Sequence, residues 1–340
     1  MTKTLRIFAA LLLGVLLASC DVHELPKGDA YVDVTLTVKF DDDLPLYREL
    51  DYTTKAEGQN VQMRHTIRAF RANGVNRYST EPAVEKVVYT GGVQDVTVDL
   101  RLEPVDYIIM VWSDYADEAG EALFYDAADF GSVRILEGEY KGSNPYRDAF
   151  SGTKELALSE ILEASAHIEE TLQMTRPVGK FSIISVDRDE FLKMFMARLV
   201  ERYKNQASVG PIYSKAEDID VNIFKVVVAY NGFLPDTWSL WTGRPIDART
   251  GVQFNSRLRE LEGGDLELAF DYVLVNGEES SVNVNVYIFD DLGDILSVMH
   301  SDVPLHAGMR TVLTGRFLTS GAASGVSIKP GYDGEFNIQL

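Results

Sequence analysis

From residue 31 onward the chain alternates apolar with polar positions in short runs. In YVDVTLTVKF, Val32, Val34, Leu36, Val38 and Phe40 alternate with Asp33, Thr35, Thr37 and Lys39. A period of two lays one face of a strand on a core and gives the other to water. Residues 63–70, 86–90 and 93–102 also read as strands, with Gly91-Gly92 as a turn between the last two. YIIMVWSDY, residues 107–115, is a continuous apolar run and predicts a central strand buried on both faces. Residues 114–150 mix Gly, Asp and aromatic residues and predict long excursions, after which KELAL and HIEETLQM read as two more strands. Strands this short and this closely spaced predict an all-β sandwich.

One segment has a helical period instead. In RDEFLKMFMARLVERYKNQ, Leu192, Phe195, Leu199 and Tyr203 recur every three to four residues. Asp187 stands where an N-cap belongs, Asp189 and Glu190 fall in the first turn, and Arg198, Arg202 and Lys204 lie toward the end. These signals predict a helix near 188–206, closed by Gly210-Pro211, whose aromatic and Met residues form a packing face. Beyond it IFKVVVAYNGF is a strand with a turn. LELAFDYVLVNGEESSVNVNVYIFD reads as a hairpin turning at Asn276-Gly277, and Asp291 to Asp294 make the next turn. RTVLTGRFL and GEFNIQL complete the sheet on either side of the Ser- and Gly-rich residues 320–325.

The N-terminus obeys a different rule. Lys3 and Arg6 precede an apolar segment from Ile7 to Leu17, which is shorter than the roughly 20 residues a membrane-crossing helix needs. It reads as a secretory signal that is removed. Leu17-Ala18-Ser19-Cys20 resembles the lipobox of bacterial lipoproteins, in which the thiol is diacylated, the chain is cut before the cysteine and the new amine is acylated. That resemblance makes Cys20 the lipidation site and Leu17, Ala18 and Ser19 its recognition residues. Residues 1–19 are then the signal peptide and residues 20–30 a polar, lipidated tether, in which His23 and Glu24 are solvated. Two or more acyl chains anchor stably, so a diacylglyceryl group with a palmitate-type N-acyl chain holds the protein on a membrane. These covalent lipids aside, no cofactor is expected.

Cys20 is the only cysteine, which leaves none for a disulfide, a thiolate metal site or a catalytic thiol. The fold must rely on burial, and 46% of the residues are hydrophobic. The formal net charge is −20, and removal of residues 1–19 takes away Lys3 and Arg6 and no acid. Such a surface repels phosphate backbones, so nucleic acid is excluded as a partner.

Three stretches, in order, carry a second resemblance. They are the lipobox with CDVHELP, the segment RPVGKFSIISVD at 176–187, and the ending FLTSGAASGVSIKPGYDGEFNIQL. Together they resemble the fimbrillin-like lipoproteins of Bacteroidetes-type bacteria, a group that includes minor fimbrial subunits serving as anchors. Arg176-Pro-Val-Gly-Lys180 is the most specific piece, matching the Arg-x-x-Ala/Gly-Lys that opens the second domain of fimbrillins. The resemblance implies an all-β fold with minor α content. Two tandem transthyretin-like β-sandwich domains, residues 31–175 and 176–340, would carry the one inserted helix. It also implies a non-enzymatic fimbrial anchor or accessory subunit, held by lipid in the outer membrane at the cell surface. Its partners are fimbrial subunits joined by strand addition. The closing strand Glu335–Leu340 is a candidate donor, with a plain sandwich edge the favoured reading.

No catalytic and no metal-binding residue emerges. The chain has no Gly-x-Ser-x-Gly elbow, phosphate-cradling loop or His-Glu-x-x-His helix. His300 and His306, six apart across Pro304 in what reads as a connection, are expected as solvated residues rather than a metal pair. Asp41 to Asp43 are expected as an exposed turn, since they lack the ligand spacing of a calcium loop. Among 52 acids, carboxylate pairs arise by accident and are no sign of hydrolysis. The alternative function is a surface glycan-binding lipoprotein using Trp238 and Trp241. They lie three apart in the loop FLPDTWSLWTG, where packing of the loop on the core is the favoured role.

Overall fold

The alternating run at the start of the fold becomes β1 (Val32–Phe40) in a computed structural model that describes residues 31–40, 61–73, 77–161, 166–204, 213–277, 279–319 and 335–339. Residues 1–30 with Cys20 and the tether, the Asp41–Asp43 turn, Gly210-Pro211 and residues 320–325 lie outside the described residues. β1 pairs antiparallel with β4 (Val96–Leu102) and parallel with β9 (His167–Met174). Facing this sheet is a second in the order β3 (Val84–Thr90), β2 (Gln62–Arg71), β5 (Tyr107–Ala116), β8 (Phe150–Leu156). Val34, Leu36, Leu100 and Leu172 of one sheet meet Met63, Ile67, Ile109 and Val111 of the other in a single core. His65 shares that inner face, within 2.9 Å of Ser113 Oγ and 3.0 Å of Thr90 Oγ1. Burial pushes its pKa down to about 4, so it is a neutral, hydrogen-bonded core residue.

β5 lies inside its sheet and is buried along almost its whole length, as its unbroken apolar run predicts. Its second face, with Met110 and Trp112, contributes to a different core. The excursion after β5 supplies the cover. Phe124, Tyr125, Phe130 and Val133 pack there, and two short strands, β6 (Tyr125–Asp126) and β7 (Val133–Ile135), give the excursion order.

The second sandwich also has two sheets. One runs β15 (Arg259–Glu260), β16 (Leu266–Leu274), β10 (Val178–Ser185), β19 (Arg310–Gly315), β20 (Glu335–Gln339). The other runs β14 (Gln253–Arg257), β11 (Lys225–Tyr230), β17 (Glu279–Phe289), β18 (Ile295–His306). Phe181, Ile183, Leu268 and Leu313 are packed with Val226, Val228, Val284 and Val286. β20 takes the edge position beside β19, paired in parallel. A fifth, small sheet joins the two halves of the chain: β13 (Arg244–Arg249) and β12 (Leu234–Ser239) continue into β7 and β6, with Trp238 opposite Val133.

The predicted helix is α1 (Arg188–Tyr203). It buries Phe191, Leu192, Phe195 and Leu199, with Phe191 and Phe195 edge-on to Phe224 at 4.9 and 4.8 Å, whereas Tyr203 is only partly buried. Asp187 occupies the N-cap, but its carboxylate does not cap. It accepts from Ser185 Oγ at 2.5 Å and from the Thr319 N–H at 2.8 Å, fastening the chain that follows β19.

Two expectations need correction. The Asn276-Gly277 turn does not make a hairpin, because β16 and β17 belong to different sheets. All nine residues of β16 are buried, so it needs the interior sheet beside β10, while half-exposed β17 pairs with β18 around Asp291 to Asp294. His300 and His306 lie not in a connection but on β18 itself. Pro304 fits there because β18 is an edge strand, where a missing N–H leaves no partner unmet. Six strand positions separate the two imidazoles by about 20 Å, too far to share a metal.

Candidate functional site

The chain passes from the first sandwich to the second through Arg176-Pro177-Val178-Gly179-Lys180, between β9 and β10. Each of these positions has a physical task. Arg176 is buried and its Nε donates to both oxygens of Asp148, at 3.1 and 3.0 Å, while its guanidinium lies 4.7 Å from the Phe150 ring centre. Burial raises the Asp148 pKa, and Arg176 draws it back down. A methyl group on Gly179 would stand 2.7 Å from the His306 carbonyl oxygen, a backbone atom that cannot swing aside, so β10 needs glycine at this crossing. Lys180 is buried, its ammonium 4.9 and 5.5 Å from the rings of Phe270 and Tyr272.

A second buried network ties the excursion to the second sandwich. Asp271 of β16 accepts from Arg147 Nε at 3.0 Å and the Tyr272 N–H at 2.8 Å on one oxygen. On the other it accepts from the Tyr140 and Tyr230 hydroxyls, each at 2.7 Å. Burial holds both tyrosines well above their usual pKa, so they remain protonated donors. Tyr125 closes the network by donating to the Arg147 carbonyl at 2.7 Å. Asp114, pushed up to about 6 by burial and drawn back by Arg64, is gripped bidentately at 2.9 and 2.8 Å. These carboxylates and the tyrosines that meet them lie in closed, hydrogen-bonded interiors, where they act as cross-links. Among the described residues, no group of three or more His, Cys, Asp or Glu gathers as a metal site.

Open space occurs beside this seam. A cleft of about 770 Å³ is lined by Ser151 of β8, Gln173, Thr175, Trp238, Trp241 and Thr242 among others. Trp238 belongs to strand β12 rather than a loop, and is only 7% exposed. Trp241 occupies the tight turn between β12 and β13. The Gly243 N–H closes that turn onto the Ser239 carbonyl at 2.9 Å, with Gly243 at φ +61°, a conformation other residues resist. Trp241 is 38% exposed and backed by Phe70 edge-on at 5.0 Å and Tyr78 stacked at 6.0 Å. Leu17, Ala18, Ser19 and Cys20 lie outside the described residues.

The rest of the lining has no sequence signature, because Gln173 and Thr175 come to the same cleft as the tryptophans only through the tertiary fold. The Arg147–Asp271 network did leave a signal. Asp271 is one of two charges, with Glu267, in the otherwise apolar run LELAFDYVL, and a buried charge requires a partner.

The profile of a family of unknown function (DUF6562) matches residues 27–340, and the chain belongs to that family. No curated protein matches the sequence. Similar solved structures include the fimbrial anchor protein Mfa2 from Porphyromonas gingivalis, at 10% identity, covering 78% of this chain and 81% of that one, with a TM-score of 0.38. They also include the tip fimbrial protein Mfa3 from the same organism, with a C-terminal truncation, at 10% identity, 81% of each chain and a TM-score of 0.36. Among the described residues no helix is long and apolar enough to cross a membrane.

Proposed function

We propose that this DUF6562 chain is a non-enzymatic lipoprotein of the cell surface, fixed to the outer membrane through Cys20 and acting as a fimbrial anchor or accessory subunit. The observation that carries the reading is the order of parts. A lipobox is followed by a ten-residue polar tether, and β1 of the first sandwich begins only two residues later. Acyl chains on Cys20 would therefore hold the folded body within one short tether of the bilayer. The seam supports the same role. An anchor that transmits pull between a membrane and a polymer needs its sandwiches fastened together, and Arg176, Asp148, Arg147 and Asp271 supply buried cross-links. Strand-mediated contact with neighbouring subunits has backbone to use at the sheet edges. β3 is one such edge, with Val87 and Tyr89 exposed.

Cys20→Ser tests the anchor. The wild-type protein is expected in the membrane fraction with the added mass of its acyl chains, and the variant in the soluble fraction, without that mass. Equal membrane association and an unshifted mass in the variant would remove the premise of the reading.

A further inference from the structure

We propose that the cleft lined by Gln173, Thr175 and the β12–β13 turn binds neutral carbohydrate, with one sugar ring stacked on Trp241. This goes beyond subunit contact and rests only on the surface location argued above.

Trp241 is a prepared platform. Tyr78 stacks against it and Phe70 meets it edge-on, so its orientation is set before any ligand arrives. Trp241 is 38% exposed and lines the cleft. A pyranose presents an apolar face of C–H groups and a rim of hydroxyls, which suits an aromatic surface ringed by small polar groups. Ser151, Thr153, Gln173, Thr175 and Thr242 supply such groups in the lining. Trp238 adds a second observation. Its ring lines the cleft, yet its indole Nε1 is buried without a hydrogen-bond partner. A buried donor left unpaired is costly, and a small shift of the Trp238 ring on binding would bring it to a sugar hydroxyl, an acceptor of the right kind.

Charge selects among ligands. None of the described residues lining the cleft is acidic, in a chain with 52 acids, and Arg176, its one cation, is neutralised by Asp148. An anionic polymer would find no free cation in the lining and a repelling net charge around it. Strand addition by a peptide is disfavoured as well. The backbones of Ser151 and Thr175 already bond each other in both directions at 2.9 Å, and the Gly308 N–H is held by the Val178 carbonyl at 2.9 Å. A row of open backbone groups is what an added strand would require.

The test uses the detergent-solubilised full chain and a panel of neutral gluco-, manno-, galacto- and xylo-oligosaccharides. Binding is read by tryptophan emission and by retardation in polysaccharide-containing native gels. Trp112 is fully buried and does not line the cleft, so changes in emission report on Trp238 and Trp241. At least one neutral series is expected to bind. Trp241→Ala should weaken it by tenfold or more, measured at a temperature where circular dichroism shows the variant folded. Trp238→Phe, which keeps a ring and removes the indole N–H, should weaken it several-fold. Failure of every neutral series to bind overturns the proposal, as does binding unaffected by both substitutions or binding confined to anionic sugars or extended peptides. None of these outcomes bears on Cys20, so they leave the anchoring result standing.

Discussion

Asp271→Asn is expected to lower the free energy of unfolding by about 3–5 kcal/mol, the usual cost of stripping one member from a buried ion pair. The substitution barely changes shape, so the loss is electrostatic. Arg147 is buried, and among the described residues Asp271 is its salt-bridge partner. The Tyr140 and Tyr230 hydroxyls donate to the same carboxylate oxygen and would compete for a weaker acceptor. For a chain of this size the melting temperature should fall by roughly 10 °C. Arg147→Met is expected to cost a similar amount. The double variant should cost clearly less than the sum, since removing both charges leaves no orphaned ion. Chemical denaturation of the four proteins checks this. Additive effects, or a loss under about 1 kcal/mol for Asp271→Asn, would show that the network does not fasten the excursion to the second sandwich.

Arg176→Met is the second large effect and carries a pH signature. It leaves Asp148 buried without its cation, again at about 3–5 kcal/mol at neutral pH. Burial already raises the Asp148 pKa in the folded protein, and loss of Arg176 removes the main opposing influence, so the folded value climbs further. In the unfolded chain it returns to about 3.9. A carboxyl whose folded pKa exceeds its unfolded one binds protons more readily when folded, so lowering the pH favours the fold. The stability gap between wild type and Arg176→Met should therefore narrow as pH falls from neutral through the variant's folded pKa toward 4. Denaturation curves of the two proteins at pH 7, 6 and 5 measure the gap. A gap constant with pH would mean that Arg176 contributes packing on Phe150 rather than neutralisation of Asp148.

Much of the architecture was legible because burial imposes period. The alternation of Val32 to Phe40, the unbroken run of β5 and the Leu192–Phe195–Leu199 stripe each map onto the face that is buried. What failed was partner choice. Asn276-Gly277 has the residues of a tight turn, but turn chemistry does not say whether the next strand returns to the same sheet or crosses to another. Residues 114–150 were legible only as an excursion, because their order comes from pairing with β12, a hundred residues away in sequence. Pro304 marked His300 and His306 as connection residues, and only knowledge that β18 lies at an edge reverses that reading. Of the candidate site, Trp238 and Trp241 were visible as aromatics three apart in what reads as a loop, whereas the turn that holds Trp241, its backing by Phe70 and Tyr78, and the strand position of Trp238 depend on the packed fold. The Arg176-to-Lys180 motif was visible by resemblance, while its physical tasks required the positions of Asp148, His306 and Phe270.

The role as a surface subunit is tested most directly by affinity recovery of the tagged full chain from native envelopes, under conditions that keep fimbriae intact, followed by identification of co-purifying proteins. Fimbrial subunits recovered with the wild-type chain, and lost when Cys20→Ser releases it from the membrane, are the predicted result. Recovery of the chain alone, from envelopes on which fimbriae are demonstrably present, would contradict the account.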